Sequence, residues 1–294
     1  MNTRAQQKAL TVQDNLRSLP GLPPVLQRVR DLRDGDRAEI DLVCSLYRAD
    51  AEASRELLRI VNSSYCGVPR TVTTVKSAVE LLGADAFRSA AFLQHVFGSF
   101  PPAEGAKTVI DRGEFWRHAL LTAALARFFA ARSSAGTLSP EQAFRAGLSH
   151  DLGKLVLENH SPAEYAPVVE MRRADPSSEL WMYERLELGL THAYVSSTLL
   201  GRWEAEEPVR RAVEWHHAPS RAEGPDAPAA ALLHYCDYLA HRAEPARRIA
   251  IPIPLTEPDA PAMAGLEGDE AEHLELSRAE LNGASALFAE LSGE

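Results

Sequence analysis

The chain of 294 residues carries 31 basic and 41 acidic side chains, a formal charge of −10, with 45% hydrophobic and 24% charged residues. That is the balance of a globular protein with room for one large or two modest domains, and its negative charge disfavours general binding to a nucleic-acid backbone. Cys44, Cys66 and Cys236 are odd in number and widely spaced, so neither a disulfide framework nor a CxxC clip can be drawn. The apolar run around Ala119 to Ala131 is interrupted by Arg127 and falls short of the roughly 20 residues of a membrane span. The N-terminal Met-Asn-Thr-Arg-Ala-Gln-Gln-Lys is polar and lacks the apolar stretch of a secretory signal, so a cytoplasmic protein is expected.

Apolar residues recur at helical spacing almost throughout, and period-2 alternation is nearly absent, which predicts an all-α helical bundle. Residues 1–13 read as a tail. The prolines of Ser18-Leu-Pro-Gly-Leu-Pro-Pro24 suit a loop and the first turn of a helix starting near Val25. Further helices are expected around residues 40–46, 57–61 and 77–82, with Gly83 as the stop of the last. Residues 99–113 are rich in Pro and Gly and read as a joint, so that 14–110 forms a first helical subdomain and 111–243 a second. In the second, helices are expected over residues 114–131, 140–157, 178–188, 191–203, 208–217 and 229–242. Beyond residue 243 lies a Pro-rich acidic run, expected as an extended surface segment, with a last helix over 276–291.

The second half concentrates the chemistry. In Gly147-Leu-Ser-His-Asp-Leu-Gly-Lys154, Phe144, Leu148, Asp151 and Leu155 share one helical stripe, which turns the Asp151 carboxylate inward. His150 and Lys154 lie on its neighbouring edge. His118 begins a stripe with Leu121, Thr122, Leu125 and Phe129; His192 begins one with Val195, Ser196 and Leu199; His216 ends one with Val209, Ala212 and Val213, with His217 beside it. Asp237 sits one turn after Leu233. Any one half-buried histidine is more often satisfied by a backbone group than by a ligand. Five imidazoles and two carboxylates on inward or edge positions of successive helices are another matter, because a divalent cation satisfies both kinds of atom at once. The mixed set His118, His150, Asp151, His192, His216, His217 and Asp237 suits Fe, Mn, Zn, Co or Ni, and seven donors are enough for two ions. Asp151 and Lys154 are then the candidate catalytic residues, Lys154 as a phosphate-binding cation.

These residues resemble a known family. His118, the His150-Asp151 doublet and Asp237 look like the H…HD…D signature of the HD superfamily of metal-dependent phosphohydrolases. His192 and the His216-His217 doublet are similar to the extra ligands of its HD-GYP branch, which hydrolyses cyclic di-GMP. The first half narrows the resemblance. Leu19-Pro-Gly-Leu-Pro-Pro24, Leu57-Leu-Arg-Ile-Val-Asn-Ser-Ser-Tyr-Cys-Gly67 and Thr73-Thr-Val-Lys-Ser-Ala-Val-Glu-Leu-Leu-Gly83, together with Ala143 to Lys154, resemble the HDOD domain over residues 14 to 240.

The resemblance implies an all-helical bacterial signal-transduction module, regulatory or scaffolding in role, with signalling proteins as partners and a nucleotide or cyclic dinucleotide as a candidate ligand. The alternative it implies is a metal-dependent phosphohydrolase acting on a nucleotide or other phosphoester. HDOD domains often lack part of the ligand set, whereas here every histidine and aspartate of the extended set has a counterpart. No Gly-Tyr-Pro loop follows His217, so cyclic di-GMP hydrolysis by the HD-GYP mechanism is not expected. DNA reading by the helices meeting at Gly83 is disfavoured, since the second of them is mostly apolar with a single early arginine.

Overall fold

The computed structural model describes residues 3–17, 19, 21–63, 65–101, 108–175, 177–243 and 257–293. All regular structure among them is helical. The first half comprises α1 (Thr3–Arg17), α2 (Pro24–Asp31), α3 (Arg37–Ala49), α4 (Ala51–Val61) and α5 (Val75–Ser99). The second comprises α6 (Arg112–Ala130), α7 (Pro140–Ser149), α8 (Leu152–His160), α9 (Pro162–Ala174), α10 (Leu180–Leu188), α11 (His192–Arg202), α12 (Glu207–Trp215) and α13 (Asp226–Ala243). Three C-terminal helices follow: α14 (Ala260–Met263), α15 (Glu270–Leu276) and α16 (Arg278–Ser292).

Local chemistry starts most of these helices where the sequence indicates. Asp36, Asp50, Thr74, Asp111 and Thr191 each accept an N-terminal backbone N–H, and Ser139 with Gln142 forms a reciprocal capping box ahead of Pro140. Gly83 interrupts α5 with φ 77° and ψ 166°, and Asp34 Oδ1 accepts the Ala84 N–H that the break frees, at 2.7 Å. The connection before α5 is held by Asn62, which receives the Val72 N–H and donates to the Val72 carbonyl, both at 2.7 Å.

Three expectations are corrected. Of residues 1–13, read as a tail, those from Thr3 on belong to α1 (Thr3–Arg17), whose Asn15 amide donates to the His160 carbonyl and the Ser161 hydroxyl on the second half. The helix expected over 140–157 is two helices, broken at His150-Asp151. A further helix, α9, fills a stretch left without an element, and α14 and α15 occupy part of the presumed extended run. The central part of the joint at 99–113, residues 102–107, and the Pro-rich run from 244 to 256 lie outside the described residues.

The core centres on α6, where Ala119 to Ala126 are buried on every side. A helix apolar all round belongs in a bundle interior, and α7, α13 and α16 pack around it. Gly147 lets α7 approach: a Cβ there would lie 2.6 Å from the Ala123 Cα. The second part of α5 buries Ala84, Phe87, Ala90 and Ala91, so it is a core helix. Arg145 on α7 ties the halves together, donating to Asp85 and Ser89 of α5 and to Glu206 ahead of α12. No helix among the described residues is long and apolar enough to cross a membrane.

Candidate metal centre

The break between α7 and α8 is what allows two adjacent side chains to share a site. In a continuous helix His150 and Asp151 would diverge by about 100°. At the break Asp151 takes φ −102° and ψ −1°, and the His150 Nε2 and Asp151 Oδ2 come within 3.4 Å. The interrupted backbone is repaired by one hydroxyl. Ser196 on α11 donates to the His150 carbonyl at 2.8 Å and accepts the Gly153 N–H at 2.7 Å. Gly153 is required there, because a Cβ would fall 2.1 Å from the His192 carbonyl oxygen.

All seven predicted donors meet at this point. His118 (α6) places its Nε2 2.9 Å from Asp237 Oδ1 (α13), and His150 Nε2 lies 3.8 Å from the same oxygen. His192, in the first turn of α11, sets its Nε2 3.1 Å from Asp151 Oδ1, and His217 Nε2 faces His192 Nε2 at 2.8 Å. The His216 ring lies 5.1 Å from that of His150 and 5.8 Å from that of His192. Lys154 donates to Asp151 Oδ2 at 2.5 Å, so its ammonium is at the site and paired with the central carboxylate.

The outer nitrogens of the rings are anchored. His150 Nδ1 lies 2.7 Å from the Gly147 carbonyl, His216 Nδ1 2.6 Å from the Val213 carbonyl, and His192 Nδ1 2.7 Å from Glu184 Oε2. An acceptor at Nδ1 holds the proton there in a neutral ring and turns the Nε2 lone pair toward the other donors, the arrangement found behind metal-ligating histidines. Five buried atoms, His118 Nε2, His150 Nε2, His216 Nε2, Asp151 Oδ1 and Asp237 Oδ1, form no hydrogen bond of good geometry, although His118 Nε2 lies against Asp237 Oδ1 and His192 Nε2 against Asp151 Oδ1. A buried polar atom left without any partner costs roughly 1–3 kcal/mol. The convergence of these five is what a divalent cation would satisfy, and imidazole with carboxylate fits a transition metal better than Ca or Mg.

The electrostatics agree with that donor set. Burial opposes ionisation of Asp151, but His150, Lys154 and His192 outweigh it and hold the carboxyl well below the usual range. Burial likewise opposes Asp237, where His118, His241 and His150 prevail. Burial, then His150 and His192, pushes His216 down to about 3, and burial with His216 and His192 lowers His217. For His192 burial lowers the pKa, yet Glu184 and Asp151 outweigh it and raise it to about 9. Both carboxyl groups are thus ionised, and His216 and His217 are neutral, the states in which such side chains ligate, whereas His192 carries the proton its carboxylates stabilise and would have to release it to a cation.

Two residues of the site escape the sequence reading. His241 lies one turn beyond Asp237 on α13, its Nε2 3.5 Å from Asp237 Oδ1; the i, i+4 spacing was available as a signal. Glu184 is fully buried on α10 and accepts from the His192 N–H, faces the His192 ring and receives the Tyr165 hydroxyl. No local pattern marks it, since it belongs to a different helix.

Residues 19–219 match the HDOD domain family. An uncharacterized protein of Treponema pallidum (strain Nichols) is 22% identical over 218 residues, 74% of this chain, and the chain spans 41% of that relative's length. An HDOD domain protein of unknown function from Geobacter sulfurreducens superposes with a TM-score of 0.75 at 22% identity, over 97% of this chain and 98% of that one. A Shewanella amazonensis SB2B protein provisionally described as a phosphohydrolase gives a TM-score of 0.74 at 22% identity, over 96% and 98%. These structural likenesses speak for the fold, and the family match covers most of the sequence: the chain belongs to the HDOD domain family.

Proposed function

We propose that the protein is a signal-transduction component of the HDOD type whose second half is organised by a divalent transition-metal centre of up to two ions. His118, His150, Asp151, His192, His216, His217 and Asp237 would hold the metal. The observation that carries this reading is the convergence, from α6, the α7–α8 break, the end of α12 and α13, of five buried donor atoms that form no well-aligned hydrogen bond. Metal bound there would tie these elements together, so occupancy would set the rigidity of the bundle that a signalling partner meets. The test is elemental analysis of protein purified without a histidine tag, beside a His150→Ala/Asp151→Ala variant. At least one equivalent of Fe, Mn, Zn, Co or Ni is expected in the wild type and none in the variant. Wild-type protein that stays metal-free after supplementation overturns the reading.

A second reading, phosphoester hydrolysis, is favoured by one observation. The cluster reaches solvent along an edge formed by His118, Lys154, His217 and His241, whose side chains are 14–29% exposed. Divalent ions in such a set supply, when bound, water activation and stabilisation of charge on phosphoester oxygens. Lys154 stands at that edge as a cation for a non-bridging phosphate oxygen, with Asp151 holding it in place until substrate competes. Turnover of a chromogenic phosphodiester or phosphomonoester under Mn or Fe, lost in Lys154→Met, would support this reading. Its absence with metal bound would leave the regulatory one.

A further inference from the structure

We infer that the apolar cleft where the two halves of the chain meet is a binding site for a small aromatic carboxylate. The cleft is walled by Leu26 and Val29 of α2, Phe92 of α5, Leu200 of α11, Trp203 just beyond α11, and Val209 of α12. Its empty space, mouth included, is about 540 Å³, within the range of small-molecule pockets. The walls are built rather than loose, since Leu26, Val29, Leu200, Trp203 and Val209 are all buried.

Two of the lining side chains favour a ring as the apolar part of the ligand. Phe92 and Trp203 meet edge to face, with centroids 6.1 Å apart and planes at 80°. A third ring can join such a pair at comparable separation, gaining quadrupole contacts that an acyl chain does not offer. Backbone strain lies at the same place. Glu204, with φ 54°, is the single non-glycine residue with a positive φ among the described residues, and the turn it makes brings Ala205 and Glu206 onto the cleft. Strain of this kind is retained where the surrounding structure demands a particular wall.

The charged residues call for an anion. Arg30, Arg88 and Arg145 line the cleft against one carboxylate, Glu206. Asp85 accepts from both Arg88 and Arg145, so a single carboxylate serves two guanidinium groups and the lining keeps an excess of positive charge. Arg88 is the anchor. Its Nη1 donates to the Arg30 and Leu32 carbonyls at 3.3 and 2.8 Å and its Nη2 to Asp85 at 3.1 Å, whereas its Nε–H is buried and forms no hydrogen bond. A ligand carboxylate would give that donor a charge-assisted bond.

The place of the cleft suits an input. Helices α11 and α12 each have one end in it and the other, at His192 and His216, in the candidate metal centre. The binding site itself does not depend on that centre being filled.

The experiment is calorimetric titration of the full chain with benzoate, phenylacetate and indole-3-acetate, with phenylacetamide and octanoate as comparisons. Chelator is present throughout, so that a carboxylate held by metal is not counted. At least one of the aromatic acids should bind saturably at one equivalent and, at a hundredfold excess over its dissociation constant, raise the melting midpoint by about 5 °C. Phenylacetamide, which lacks the charge, should bind at least about tenfold more weakly than phenylacetate. Ala205→Phe fills the cleft from its lip and should abolish binding. Arg88→Lys keeps the charge but removes the Nε–H, and should weaken the acids about tenfold while leaving phenylacetamide unchanged. Thermal melts report whether each variant folds, and the Ala205 variant decides the matter if the Arg88 one does not. Failure of all three acids to bind, binding that survives in Ala205→Phe, or equal affinities for phenylacetate and phenylacetamide would each overturn the inference. So would octanoate binding more tightly than any aromatic acid, which would assign the cleft to an acyl chain.

Discussion

Glu184 holds His192 twice: its Oε2 accepts the His192 backbone N–H and lies against the ring Nδ1, each at 2.7 Å. The carboxylate therefore sets both where α11 begins and which ring nitrogen faces the cluster. Glu184→Gln keeps an acceptor oxygen and most of the shape but removes the charge. It should weaken cation affinity by about 10–100-fold with little change in helicity, as such supporting residues commonly do. Chelator competition on the two proteins measures the ratio, and equal affinities would show that Glu184 only caps the helix.

Metal removal should destabilise the fold as well as empty the site. A ligand present at a hundred times its dissociation constant stabilises by about 2.7 kcal/mol. For a chain of this size that corresponds to a fall of roughly 5 °C or more in the melting midpoint on chelation, reversed by adding the metal back. Differential scanning fluorimetry with and without chelator decides it.

The Ser196 hydroxyl is the single group that repairs the α7–α8 break, with one bond to the His150 carbonyl and one from the Gly153 N–H. Ser196→Ala orphans both buried backbone groups and should cost about 1–3 kcal/mol in urea unfolding. Gly153→Ala should be worse, because its Cβ would overlap the His192 carbonyl at 2.1 Å and the obstacle is backbone, which cannot swing aside. If Gly153→Ala unfolds at the wild-type urea midpoint, the close approach of α8 and α11 is not tight.

Arg145 offers a different test, remote from the cluster. Its side chain is 9% exposed and bridges Asp85 and Glu206, which are about half exposed. Arg145→Met keeps the aliphatic stem and leaves both carboxylates solvated, so the loss should be moderate, about 2 kcal/mol. Because Arg145 joins α5 to the second half, denaturation followed by tryptophan fluorescence and by circular dichroism should separate into two transitions if the halves uncouple. A single coincident transition at unchanged midpoint would argue against that coupling.

His95 is a source of acid sensitivity outside the candidate metal centre. Burial against Trp203 lowers His95 from 6.5 to about 4. Between those values the unfolded chain binds the proton and the folded one does not, so stability rises with pH there. The contribution of neutral His95 is complete above pH 6.5 and is lost as pH falls toward 4. His95→Phe keeps a ring beside Trp203 and removes the titration. Relative to that variant, the wild type should lose stability between pH 7 and pH 4.5, whereas parallel urea midpoints would exclude His95 as the cause.

Much of the candidate site was legible because its donors sit on helices whose apolar period is clear. His118, His192 and His216 each continue a stripe of buried neighbours, so their inward direction followed from spacing alone. Asp151 was read inward on the same ground and is 3% exposed, although the continuous helix assumed for it does not exist. The break was hidden because nothing between Gly147 and Lys154 forbids helix locally; the hydroxyl that makes the interruption affordable comes from Ser196, over 40 residues away. Helix α1 was missed for a related reason, since its partners are carbonyl and hydroxyl groups on the second half.

The sequence by itself determined the all-α class, the main helix faces and the inward direction of the seven candidate donors, because helical periodicity and capping are local properties of neighbouring residues. Tertiary structure alone decided that adjacent His150 and Asp151 converge, that Glu184 orients His192 and that His241 joins His118 on Asp237. Each depends on helices distant in the chain approaching closely, as Gly147 over Ala123 and Gly153 under His192 permit. Such approaches are set by what packs across an interface, which no single segment records.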